Sequence, residues 1–161
     1  MTKQWSTGLN HLRADGSAHM VDVSAKDVTV RSASAAGRVL LSAEAVAALR
    51  GGNVPKGDAL SVARIAGIQA AKRTPDLIPL AHPIGVHAVE VDLVVVDEGV
   101  ELSATVRTAD RTGVEMEALT AVSVGALALV DMVKAVDRHA RITDVRVTAK
   151  SGGRSGSWVE S

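Results

Sequence analysis

Several short stretches of this 161-residue chain place side chains where acid/base or anion chemistry could use them. "RTPDLIPLAHPIG" (73–85) sets Pro75, Pro79 and Pro83, three of the four prolines, around His82. Proline fixes φ, so such a loop loses little entropy when it presents an imidazole to a ligand. An ordinary proline-punctuated connection between helix and strand reads the same way and is the commoner case. In "VDMVKAVD", Asp131 and Lys134 interrupt an apolar run three residues apart, which puts them on one face of a helix. The spacing fits two things equally: a local ion pair where a buried helix emerges, or a lysine beside a carboxylate in a partly dry site. In the second case its proton affinity can be tuned for acid/base work.

"VEME" opens the same helical run. Thr112 and Glu115 have the capping-box spacing, which assigns Glu115 to capping. Glu117 then faces elsewhere, either favoured by the positive helix terminus or free to bind. Lys56, between "GGNVP" and a helix, is a solvated surface lysine or an anion contact near a helix N-terminus. "KSGGRSG" (150–156) is a loose tail or a nest of backbone N–H groups flanked by Lys150 and Arg154.

Other chemistries are excluded or disfavoured. The order Lys56-Gly57-Asp58 is wrong for a phosphate loop, and no Gly-x-Ser-x-Gly elbow exists. With no cysteine there is no disulfide, thiolate zinc site or cysteine nucleophile. His82 and His87 are five apart across Pro83, and no His/Asp/Glu set has metal spacing, so no metal or other cofactor is expected. Eighteen basic and eighteen acidic residues cancel, and Trp5 and Trp158 are the only aromatic residues. That argues against a nucleic-acid partner, which needs a basic excess or stacking rings. The apolar run Ala118–Val130 is too short to span a bilayer, and the first twenty residues lack a signal-peptide core. The expectation is a soluble cytoplasmic protein without a membrane partner.

The elements that must position these residues follow from hydrophobic periodicity. "VTVRSASAAGRVLLS" (28–42) reads as a broken strand region. A short helix follows, with Ser42 as N-cap and Gly51 past its end; residues 58–73 form a second helix closed before Pro75. Val89, Val91, Leu93 and Val95 alternate with polar residues. After the turn at 97–99, Val100, Leu102, Ala104 and Val106 do the same. A long helix over 112–138 is apolar nearly all round, hence buried, in part by another subunit. A last strand alternates Val145, Val147 and Ala149. The order is βαββαβ, the ferredoxin-like α+β arrangement of an antiparallel sheet with helices on one face. One domain spans 1–161, with loose ends at 1–25 and 152–161. Glu117 and Asp131 lie fourteen residues apart, or about 21 Å along a helix. A small ligand cannot touch both from one chain, so if both are functional the site is shared between subunits.

"MVDVSAK" (20–26), "KGDALSVARIAGIQAAKRTPDLIPLAHP" (56–83), "TGVEMEALTAVSVGALALVDMVKAVD" (112–137) and "KSGG" (150–153) closely resemble the MoaC family of molybdenum cofactor biosynthesis. The resemblance implies conversion of 3′,8-cyclo-7,8-dihydro-GTP into cyclic pyranopterin monophosphate with loss of pyrophosphate. It also implies a homohexamer built as a trimer of dimers, with sites at the dimer interface. By motif, Lys56, Asp131 and Lys134 take catalytic roles. The resemblance further implies that Leu80, Ala81, His82, Met116, Glu117, Arg31 and Lys150 contact substrate. No metal ligand is implied, and a divalent ion travelling with the triphosphate has no assignable site. The family often has Cys where this chain has Ala81 and Val133, so a thiol is not essential to the chemistry. The competing expectations are a nucleotide-binding sensor without turnover and a structural assembly protein without a ligand.

Overall fold

The computed structural model describes residues 12–154 and 156–161. The chain runs β1 (Thr29–Leu40), α1 (Ala43–Gly51), α2 (Ala59–Ala71), α3 (Thr74–Leu77), β2 (Ala88–Val96), β3 (Gly99–Asp110), α4 (Glu115–Val133), β4 (Arg141–Ser151) and β5 (Trp158–Val159). The sheet order is β2-β3-β1-β4-β5, antiparallel at every pairing. This is the ferredoxin-like arrangement, extended at one edge by β5.

Period-two patterning sets which face is covered. Val91 and Leu93 of β2, Val100, Leu102, Ala104 and Val106 of β3, and Ala33, Ala35 and Val39 of β1 are all buried on the helix side. Against them lies α4, which buries Ala118, Ala121, Val122, Ala126, Leu129, Met132 and Val133. Each fully buried Leu or Val contributes ~1.5–3 kcal/mol over leaving it in water. With no rings to fill space, close packing comes from small residues that let backbones approach. A Cβ on Gly67 would stand 2.9 Å from the Ala121 carbonyl oxygen, and one on Gly125 would stand 3.3 Å from that of Ala63. Those pairings also show that α2 and α4 run antiparallel, so the start of α2 meets the end of α4. By length and composition α4 is apolar enough to cross a membrane; here it is the core helix.

Several boundaries differ from the sequence expectation. β1 is continuous and pairs with β3 over twelve residues without a slip; its irregularity lies on the β4 side, around Ala35–Arg38. Gly51 is the last residue of α1, and Gly52, at φ 67°, makes the C-cap. Pro75 sits in the first turn of α3, where its missing N–H costs nothing. The long helix starts at Glu115, and Val114 caps it without a side-chain hydrogen bond, so the capping box does not form. The C-terminal stretch is not wholly loose: β5 pairs with β4, and Arg146 Nε donates to both Glu160 carboxylate oxygens. At the other end, residues 1–11, Trp5 among them, lie outside the described residues. Leu12 and Ala18 form a bridge, and the chain then crosses the His82 loop.

Candidate active site

The candidate side chains gather at the two ends of α4. At its C-terminal end the antiparallel α2–α4 packing brings Lys56 to Asp131 across 75 positions of sequence. Lys56 belongs to a turn closed by the Gly57 N–H donating to the Val54 carbonyl, directly before Asp58, the N-cap of α2. Lys134 is the C-cap residue of α4. Lys134 Nζ donates to Asp131 Oδ1 at 2.7 Å, and Lys56 Nζ donates to Oδ2 at 2.8 Å. These two hydrogen bonds, Lys134 first, hold the Asp131 carboxyl down at about 2. The three side chains are 42–59% exposed, so the partly dry environment expected here is not built by one chain alone.

At the N-terminal end of α4, a cleft of about 380 Å³ is lined by Leu80, Ala81, His82, Met116 and Glu117, with Lys26, Val21 and Val23 opposite. Five residues named from sequence thus meet in one concavity. A carbonyl oxygen only accepts, so His82 Nε2–H donates to that of Val21, at 2.6 Å. The stiff loop therefore has a partner strap over residues 20–26. Glu117 is 3% exposed, and burial pushes its carboxyl up to about 7, with the charge of Glu115 adding to the effect and its own backbone N–H opposing it. A carboxyl poised there can give or take a proton near neutral pH.

Glu115 does not cap. It accepts a 2.6 Å hydrogen bond from Lys150 Nζ, at the end of β4. Arg31 lies further round, outside the lining of the cleft. Its Nε donates to the Asp110 carbonyl at 3.0 Å, and Gly152 and Gly153 fold back against it. Lys26 was not singled out by spacing; the signal was its place at the end of "MVDVSAK", in a stretch without periodicity. Thr112, read as a cap, lines the cleft instead.

Another concavity, about 420 Å³, opens on the helix-free face of the sheet between Arg38, Glu101, Asp144 and Arg146. Its arginines are engaged by Glu101 and Glu160, which leaves little charge for a ligand. Among the described residues no three His, Asp or Glu side chains converge as metal ligands.

The arrangement can hold an anion at one end of α4 and move protons at either end. Comparison with known proteins narrows this. A model of the MoaC family matches residues 20–153. The chain is 66% identical over 153 residues to a cyclic pyranopterin monophosphate synthase of Streptomyces coelicolor, covering 95% of this chain and 90% of that protein. It is 63% identical to the protein of that name from a Nocardioides species, covering 93% and 94%. It is 57% identical to cyclic pyranopterin monophosphate synthase 2 of Mycobacterium tuberculosis, covering 94% and 90%.

Proposed function

Because the chain belongs to the MoaC family, we propose that it acts as a cyclic pyranopterin monophosphate synthase in molybdenum cofactor biosynthesis. In this proposal the substrate is 3′,8-cyclo-7,8-dihydro-GTP, and the products are cyclic pyranopterin monophosphate and pyrophosphate. The observation that carries it is the pair of lysines sharing one carboxylate, Lys56 and Lys134 on Asp131. One ring of the substrate opens, another forms, and a cyclic phosphate closes as pyrophosphate leaves. Each step needs a proton moved, and two ammonium groups on an anionic carboxylate supply donors at fixed positions. Asp131 orients both and stays ionised throughout, since its carboxyl is held at about 2.

At the far end of α4, Lys150, Lys26 and Arg31 offset the triphosphate charge. His82, Leu80, Ala81 and Met116 seat the substrate, with Glu117 as a carboxyl able to exchange a proton. Leu80, Ala81 and Met116 offer aliphatic and backbone contacts, so ring recognition needs no stacking residue. Glu117 and Asp131, fourteen residues apart on α4, stand ~21 Å apart, so one active site takes one end of α4 from each of two subunits, as a homohexamer of three dimers would provide.

The test gives purified protein freshly made 3′,8-cyclo-7,8-dihydro-GTP and follows pyrophosphate and the cyclic phosphate product together. Wild type should form both in step, and Lys134→Ala should form neither above background. A folded oligomer that binds the substrate without forming product would overturn the synthase reading in favour of a sensor.

A further inference from the structure

The two glycines after Lys150 have a role that the substrate contacts do not cover. Gly152 and Gly153 both adopt left-handed φ, 87° and 76°, and turn the exit of β4 back over β1. A Cβ on Gly152 would collide with the Val30 carbonyl oxygen, and one on Gly153 would collide with Arg31 Nη1 and lie 3.0 Å from its Cζ. The two collisions differ in kind. The first meets backbone, which cannot yield without disturbing the β1 edge. The second meets the free end of a long side chain, which can swing away while the fold stays intact.

Arg31 is therefore held from two sides, by the Asp110 carbonyl on Nε and by the bare backbone of Gly153 against the guanidinium. Its described hydrogen bond goes to a neutral carbonyl, so its positive charge is left to an anion. Ala33 stands opposite Lys150 in the β1–β4 ladder, and Arg31 is two residues before Ala33 on the same face. Arg31 and Lys150 are thus diagonal neighbours, ~7–8 Å apart at Cα. Lys150 is engaged by Glu115 at the mouth of the cleft.

We propose that Gly153 is a positioning residue: its lack of a side chain seats the Arg31 guanidinium for a phosphate of the substrate. This rests on the triphosphate reading above.

The experiment compares Gly153→Ala with Gly52→Ala, which adds the same methyl at φ 67° in open space, at a residue that does not line the cleft. Steady-state kinetics give KM and kcat, and calorimetry gives the affinity for inorganic tripolyphosphate. Gly153→Ala should raise KM and weaken tripolyphosphate about tenfold each, equivalent to ~1.4 kcal/mol, with kcat within about twofold. Gly52→Ala should leave both constants within about twofold of wild type. In an Arg31→Ala background the glycine change should add nothing, because the two act as one unit.

Gly153→Ala matching Gly52→Ala, or its effect adding in full to that of Arg31→Ala, overturns the positioning role. Should Gly153→Ala not fold, Arg31→Lys decides instead, because lysine lacks the Nη1 that the methyl meets. Arg31→Lys alone, which keeps the charge but has no guanidinium for Gly153 to seat, should then weaken tripolyphosphate about tenfold, and an affinity within about twofold of wild type overturns the proposal. A wild type without turnover defeats the synthase reading, while the tripolyphosphate measurements still judge Gly153.

Discussion

Asp131 and Glu117 are two carboxyls on one helix pushed in opposite directions by their surroundings. Asp131 is solvated and accepts one hydrogen bond from each of two lysines, so it remains an anion; Glu117 is buried and sits near its midpoint at neutral pH. Removing an acid/base group of this kind costs about 10²–10⁴-fold in rate, so Lys134→Ala is expected to lower kcat by that range with the fold intact. Glu117 predicts a pH effect on stability. Its folded carboxyl binds a proton between its ordinary range and about 7 that the unfolded chain does not hold. The folded protein therefore loses stability as pH rises through that window and levels off above it, a loss of at most ~3 kcal/mol. Denaturant melts of wild type and Glu117→Gln at pH 5 and pH 8 should show the fall in the wild type only. The Asp131–Lys134 pair was legible because its spacing is local. Lys56 was placed beside them by resemblance alone, since only the α2–α4 packing brings it across. Glu115 was misread for the converse reason: the capping-box spacing is local, and the lysine that claims the carboxylate arrives on a strand 35 residues later.

The element that fixes the lysine pair is the contact between α2 and α4. Gly67 faces the Ala121 backbone at a distance that leaves no room for a methyl. Gly67→Val should wedge the helices apart, cost ~1–3 kcal/mol and lower Tm by ~2–4 °C per kcal/mol. It should also lower kcat by drawing Lys56 away from Asp131. A Gly67→Val variant that loses stability at unchanged kcat would mean the pair is held by something other than this contact. The strands of the β2–β3 hairpin were legible because large aliphatic residues alternate with polar or charged ones. β1 looked broken because its alternating residues are Ala and Ser, close in size and weak in contrast, although its ladder with β3 is unbroken. β5 has two residues, too few to carry a period.

At the scale of the molecule, what matters is that α4 keeps the two halves of the proposed site apart. Lys134→Ala and Lys150→Ala each disable a different end, so neither alone should turn over substrate at more than a small fraction of the wild-type rate. Refolded together as an equal mixture, they should recover about a quarter of wild-type activity, since in the proposed two-fold dimer half the pairs are mixed and each mixed pair rebuilds one of its two sites. No recovery would mean that each subunit works alone. The distance behind this was readable from residue count, because a helix has a fixed rise. One further property comes from β5. The chain has two tryptophans, no tyrosine and no phenylalanine, and β5 sets Trp158 directly across from Lys150. With Trp5 replaced by leucine, all emission under ultraviolet excitation would come from one indole beside a proposed phosphate contact. Its colour and brightness would then follow, without any attached dye, each arrival and departure of negative charge.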